Sequence, residues 1–155
     1  MTARDNKNGG SNEPVTWESI PIGEVLPIVE YTLTSDLIEN YRKLVGNPTA
    51  SYPTVAARHP ARCFHARYGG RMRLPNMGYD TEYYNPPEPD KRIVVTARVI
   101  DKFIRRETKY MIVEARAIDE DGRLIQIDRL RATPKTYDEQ AFSAVAGKWE
   151  TDDRS

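Results

Sequence analysis

The chain has one cysteine, Cys63, two histidines, no net formal charge and no long apolar run. Each scarcity removes a class of protein. A lone thiol cannot close an internal disulfide and fits a reducing compartment. No set of metal ligands at useful spacing accompanies it, so no zinc site is expected. Balanced charge provides no global field to draw in a polyanion, which argues against a dedicated nucleic-acid binder. A membrane span needs about 20 consecutive apolar residues, and nothing here approaches that. The opening MTARDNKNGGSN lacks the apolar segment of a signal peptide and reads as a disordered leader. These features together give the expectation of a cytoplasmic protein.

What remains is a chain of 155 residues, enough for one domain with a real core. The expected division is a leader over residues 1–14, a folded domain over 15–134 and a polar tail over 135–155, where DEQAFSAVAG has the composition of a short helix. Within the domain, Ile28 to Leu33 alternate as a strand. TSDLIENYRKLVG then switches to helical spacing. Thr34 or Ser35 is placed to cap it, Asp36 sits in its first turn and Gly46 is placed to end it. From Asn47 to Gly78, four prolines and the Gly69-Gly70 pair interrupt regular structure, with TVAARH as the start of a second helix; long irregular stretches of this kind are often functional.

The C-terminal half is a meander. A short strand at TEYYN ends in PPEPD. RIVVTARVIDKFIRR places Ile93, Val95, Ala97 and Val99 on one face. KYMIVEARAID sets Met111, Val113, Ala115 and Ala117 opposite Tyr110, Ile112, Glu114 and Arg116. EDG turns the chain into RLIQIDRLRAT. A sheet apolar on one face only needs a helix to cover it, which gives an α+β domain. A helix wrapped by a curved antiparallel sheet is the hotdog arrangement, and its exposed edge strand favours pairing with another copy of the chain or with a related hotdog chain.

YTLTSDLIENYRKLVGNP, together with MGYDTEYYNPPEPDKRIVVTARVIDKFIRRETKYMIVEARAIDEDGRLI, resembles the MaoC-like (R)-specific enoyl-CoA hydratases and 3-hydroxyacyl dehydratases, in particular their N-terminal-type hotdog domain. The likeness covers roughly Glu24 to Thr133. The resemblance implies hydration of enoyl thioesters or dehydration of 3-hydroxyacyl thioesters, with coenzyme A or phosphopantetheine carried by the substrate and no other cofactor. That chemistry uses a base to activate water, an acid to protonate the α-carbon and a donor at the thioester carbonyl. The family places an Asp shortly before an Asn-Pro pair and a His shortly after it. Here Asn47-Pro48 supply the pair, but Val45, Gly46, Thr49, Ala50 and Ser51 stand where the dyad would be. The resemblance therefore suggests a subunit that shapes an acyl pocket for a catalytic hotdog partner in a heterodimer, within fatty acid metabolism.

Two other readings stand beside it: an enzyme with a relocated site, and a non-catalytic acyl-CoA-binding module. For a relocated site the candidates are His65 and then His59, with Asp80 or Glu82 as carboxylate. Either histidine also fits a surface or hydrogen-bonded loop position, and the two acids a solvated strand face. Between Glu39 and Asp80 there is no acidic residue, while Arg42, Lys43, Arg58, Arg62, Arg67, Arg71 and Arg73 are all basic. Arg67, Arg71 and Arg73, beside the flexible glycine pair, are the expected contacts for coenzyme A phosphates; an acidic partner or nearby carboxylates could meet the same charge. Tyr79, Tyr83 and Tyr84 suit an acyl tunnel or ordinary packing.

Overall fold

A computed structural model describes residues 14–136 of the chain. The leader and the expected tail helix lie outside the described residues, apart from an exposed Pro14.

The alternating segments form one antiparallel sheet. β1 (Val29–Thr32), β3 (Asn76–Tyr83), β4 (Arg92–Arg105), β5 (Thr108–Asp119) and β6 (Leu124–Ala132) are ordered β1-β4-β5-β6-β3. A small second ladder joins β2 (Met72–Arg73) to β7 (Lys135–Thr136). Cross-strand partners share a face. Val95 opposite Ala117, Ala97 opposite Ala115 and Val99 opposite Val113 thus form one buried inner surface. The outer surface is a charge ladder, in which Arg129 bonds Glu114 at 3.0 Å and Glu82 at 2.7 Å. The β5–β6 turn is closed by Asp119, whose Oδ1 accepts from the backbone N–H of Asp121 and Arg123, with Gly122 at φ +80. At the other end of the meander, Arg106 and Glu107 form a two-residue turn with φ +49 and +65.

Two helices follow different rules. α1 (Ser35–Val45) is capped as its sequence specifies: the Thr34 side chain accepts from the Leu37 N–H, and Gly46 ends the helix at φ +68. It does not cover the sheet. Only Ile38 is buried, while Leu37, Leu44 and Val45 are 41%, 85% and 47% exposed. The covering helix is α2 (His59–Tyr68), preceded by a 3-10 turn at Thr54–Ala57. It lies across β4, β5 and β6. Pro60 sits in its first turn, where its missing N–H costs nothing. His59, Pro60, Ala61, Cys63, Phe64 and Tyr68 are buried, whereas Arg62, His65 and Arg67 face out. Small side chains at Ala97, Ala115 and Ala117 leave room beneath the helix, and Phe64 fills it at 0% exposure. Truncating such a buried Phe to Ala costs about 3–5 kcal/mol. An antiparallel sheet curled around one buried helix is the hotdog fold.

The segment before β1 lies along the edge of the sheet. Val99 and Ala97 exchange backbone bonds with Gly23, Glu24 and Leu26. Trp17 Nε1 donates to the Tyr110 carbonyl at 2.9 Å, and Lys102 Nζ lies 4.2 Å from the Trp17 ring centre. Among the described residues no helix is long and apolar enough to cross a membrane.

Candidate functional site

The inner face of β6 breaks the apolar rule. Gln126 faces Ala117 across the ladder and Asp128 faces Ala115, so both point toward α2. Both are 0% exposed. A buried carboxylate must be paired or hydrogen-bonded, and Asp128 is. His59 Nδ1–H donates to Oδ2 at 2.8 Å, Thr81 Oγ1–H donates to Oδ1 at 2.8 Å, and the Gln126 amide donates to Oδ1 and Oδ2 at 2.9 and 2.8 Å. The Thr54 hydroxyl donates in turn to Gln126 Oε1. On the far side of the imidazole, Tyr31 Oη lies 2.6 Å from Nε2. With Nδ1–H committed to Asp128, Nε2 is left as the ring's acceptor and the phenol donates to it. Burial, with a smaller contribution from the Asp128 charge, pushes the Tyr31 phenol up to about 12, so it remains a donor. The Arg62 guanidinium stacks 5.0 Å from the Tyr31 ring centre.

This chain of bonds ties β1, α2, β3, β6 and the 3-10 turn to one carboxylate. His59 is 1% exposed with both ring nitrogens engaged. The network reaches open space at Thr81, which lines a cavity of about 410 Å³ with Arg58, Asn76, Tyr79 and Tyr83. A second cavity, about 390 Å³, lies between Ser51–Thr54 and the Tyr83–Pro87 segment, walled by Tyr52, Tyr83, Tyr84 and prolines.

The residues singled out from sequence are distributed as follows. His59 lies at the centre of the network, but its carboxylate is Asp128. Asp80 and Glu82 share the outer face of β3, Asp80 opposite Arg129, and both are exposed. His65 is exposed on α2, its ring 6.2 Å from that of Phe64. Arg67, Arg71 and Arg73 lie at or beyond the C-terminal end of α2, remote in sequence from the helix start where His59 sits. There Arg67 bonds Glu24 at 2.8 Å, and Arg71 donates to the carbonyls of Tyr68 and Arg67. Positive charge at that end also offsets the helix dipole. Arg73 ends β2 of the small second ladder, opposite Lys135. Tyr79 and Tyr83 line the first cavity, Tyr83 and Tyr84 the second. The loop after α1 is exposed from Gly46 to Thr49, closed by Asn47 Oδ1 accepting from the Thr49 N–H and by Arg42 donating to the Ala50 carbonyl. Its far end, Ser51–Pro53, forms one wall of the second cavity. Among the described residues no cluster of metal ligands occurs.

Sequence reasoning missed Gln126, Asp128 and Tyr31. A signal was present in the phase of β6. Leu130 and Ala132 share parity with Gln126 and Asp128, so a strand that buries the first pair must turn the second inward.

The fold is that of a hotdog domain, with a buried polar network on its inner face. No family model matches the sequence, and no curated protein does. Solved structures do match. A MaoC-like dehydratase from Rhodospirillum rubrum superposes with TM-score 0.62 at 13% identity, covering 80% of this chain and 99% of that one. A thioesterase superfamily member from Thermus thermophilus gives 0.59 at 16% identity, with 85% and 97% covered. The ChsH1-ChsH2 complex from Mycobacterium tuberculosis gives 0.53 at 9% identity, with 74% and 98% covered. The chain therefore has the hotdog fold expected from its sequence.

Proposed function

We propose that this chain is a hotdog subunit of an enoyl-thioester hydratase or 3-hydroxyacyl-thioester dehydratase, lacking an acid/base dyad of its own and completed by a second hotdog chain. The observation that carries this reading is the loop Gly46–Pro53. It follows α1, it ends at an aromatic-walled cavity, and its residues contain no carboxylate and no imidazole. Such a loop can shape an acyl pocket but supplies neither the Asp nor the His of the dyad. Pairing is supported by β3, an edge strand with one neighbour, and by Met77, Tyr83 and Tyr84, each at least half exposed beside it. The ChsH1-ChsH2 complex, one chain of which superposes on this one, is in keeping with this arrangement. The acyl group rides on coenzyme A or phosphopantetheine, with Arg67, Arg71 and Arg73 the residues expected at the phosphates.

The experiment is reconstitution. The chain is purified with and without its co-purifying hotdog partner and offered enoyl-CoA and 3-hydroxyacyl-CoA substrates. Turnover by the pair and little by the single chain supports the reading; binding without conversion in every pairing identifies a binding module, and release of free coenzyme A a thioesterase.

A second reading rests on Thr81, which joins the cavity to Asp128 and through it to His59. Here the His59–Asp128 pair serves the chemistry after rearrangement on binding. Turnover by the single chain that survives His65→Ala and is abolished by Asp128→Asn, with the fold intact, would favour it.

A further inference from the structure

The cavity lined by Arg58, Asn76, Tyr79, Thr81 and Tyr83 is built for an anion. Arg58 has φ +50, a left-handed backbone that a side-chain-bearing residue adopts at a cost of about 1–2 kcal/mol. Strain of this kind gathers at ligand clamps. Its guanidinium makes no ion pair among the described residues, so nothing there competes with a ligand's charge.

Opposite it, Tyr79 Oη is buried and has no hydrogen-bond partner, an arrangement worth about 1–3 kcal/mol to repair. Burial and then the Asp128 charge push this phenol well above its ordinary range, so it offers a proton and not a lone-pair anion. Asn76 uses its carbonyl oxygen on the Gly78 N–H, which leaves its amide N–H groups for a ligand. Thr81 spends its proton on Asp128. A cation and an amide N–H thus line about 410 Å³, with the unpartnered phenol O–H of Tyr79 buried behind the wall, and none of the lining residues is acidic. One guanidinium compensates one charge. A phosphate monoester, carrying about −1.5 to −2, would leave charge uncompensated close to buried Asp128. A planar monoanion fits.

We propose that this cavity binds a carboxylate, and that the acyl thioester taken by this subunit carries a free carboxyl group on its acyl chain. The inference rests on the acyl-thioester reading above and names its substrate class. Arg58 holds the carboxylate charge, Asn76 donates to its oxygens, the buried Tyr79 phenol donates to them once the seated ligand uncovers it, and Tyr83 walls the adjoining methylenes.

The test is calorimetric titration of the full chain, alone and with its partner, using an ω-carboxyacyl-CoA, a methyl-terminated acyl-CoA of equal length, and free coenzyme A. The carboxylated ligand should bind at least about tenfold tighter than the methyl-terminated one, a difference of about 1.4 kcal/mol. Arg58→Gly, which relieves the backbone strain, should bring the two to the same affinity without lowering the melting temperature. Tyr79→Phe, which keeps the ring, should narrow the preference several-fold. Equal binding of both acyl ligands to the native chain would overturn the carboxylate site and leave the acyl-thioester reading standing. A preference that survives Arg58→Gly, or free coenzyme A competing as well as the carboxylated ligand, would also overturn it. Binding of no acyl ligand in either state would overturn both.

Discussion

Replacing Asp128 tests whether one carboxylate organises the inner face of the sheet. Asp128→Ala removes the acceptor from three donors at once. His59 Nδ1–H and the Gln126 amide are fully buried, and the Thr81 hydroxyl is partly so. A buried donor left without a partner costs about 1–3 kcal/mol. The two fully buried donors therefore account for roughly 2–6 kcal/mol. Part of that is returned, because the carboxylate itself need no longer be desolvated. A net loss of about 3 kcal/mol, within the range set by those unpaired donors, is expected. Urea unfolding followed by circular dichroism measures it directly. With a slope of about 1–3 kcal/mol per molar for a small domain, the midpoint should fall by at least about 1 M. Asp80→Ala, on the outer face of the neighbouring strand, should stay within about 0.5 kcal/mol of the native chain. A loss below about 1 kcal/mol for Asp128→Ala, or equal losses at the two positions, would refute the reasoning.

The Tyr31 phenol ionises near 12 in the folded chain and near 10 unfolded. The folded state therefore binds the extra proton between those values, and this contribution to stability is full below about pH 10 and lost as pH rises toward 12. Spectrophotometric titration of Tyr31→Phe against the native chain should remove one phenol from the late-ionising class, and an unchanged titration would contradict the assignment. At the β4–β5 turn, Arg106→Asn with Glu107→Gly installs residues that adopt positive φ readily; stability should rise by about 0.5–1 kcal/mol, read as a higher melting temperature.

Much of the architecture was legible because period-two alternation is hard to mistake. Ile93 to Val99 and Met111 to Ala117 lie on the face their pattern assigns, and Thr34, Asp36 and Gly46 bound α1 as their chemistry requires. The choice of central helix was not legible. α1 has the stronger apolar stripe, yet much of that stripe stays exposed. α2 carries Arg58 just before it and Arg62, His65 and Arg67 along it, with a proline in its first turn, and it is buried only because the sheet closes around its other side. The candidate site was hidden for a related reason. Asp128 sits among alternating isoleucines and arginines and reads as one more solvated strand residue until pairing with β5 fixes its face. His59 was visible, but its partner lies 69 residues away in sequence, and no local spacing can encode that distance.

The most direct test of the account is steady-state hydration of an enoyl-CoA by the purified chain, alone and after addition of its hotdog partner, followed by loss of enoyl-thioester absorbance. Little conversion is expected from the chain alone, and sustained turnover when the partner supplies the acid and base. Robust turnover by the chain alone would contradict it.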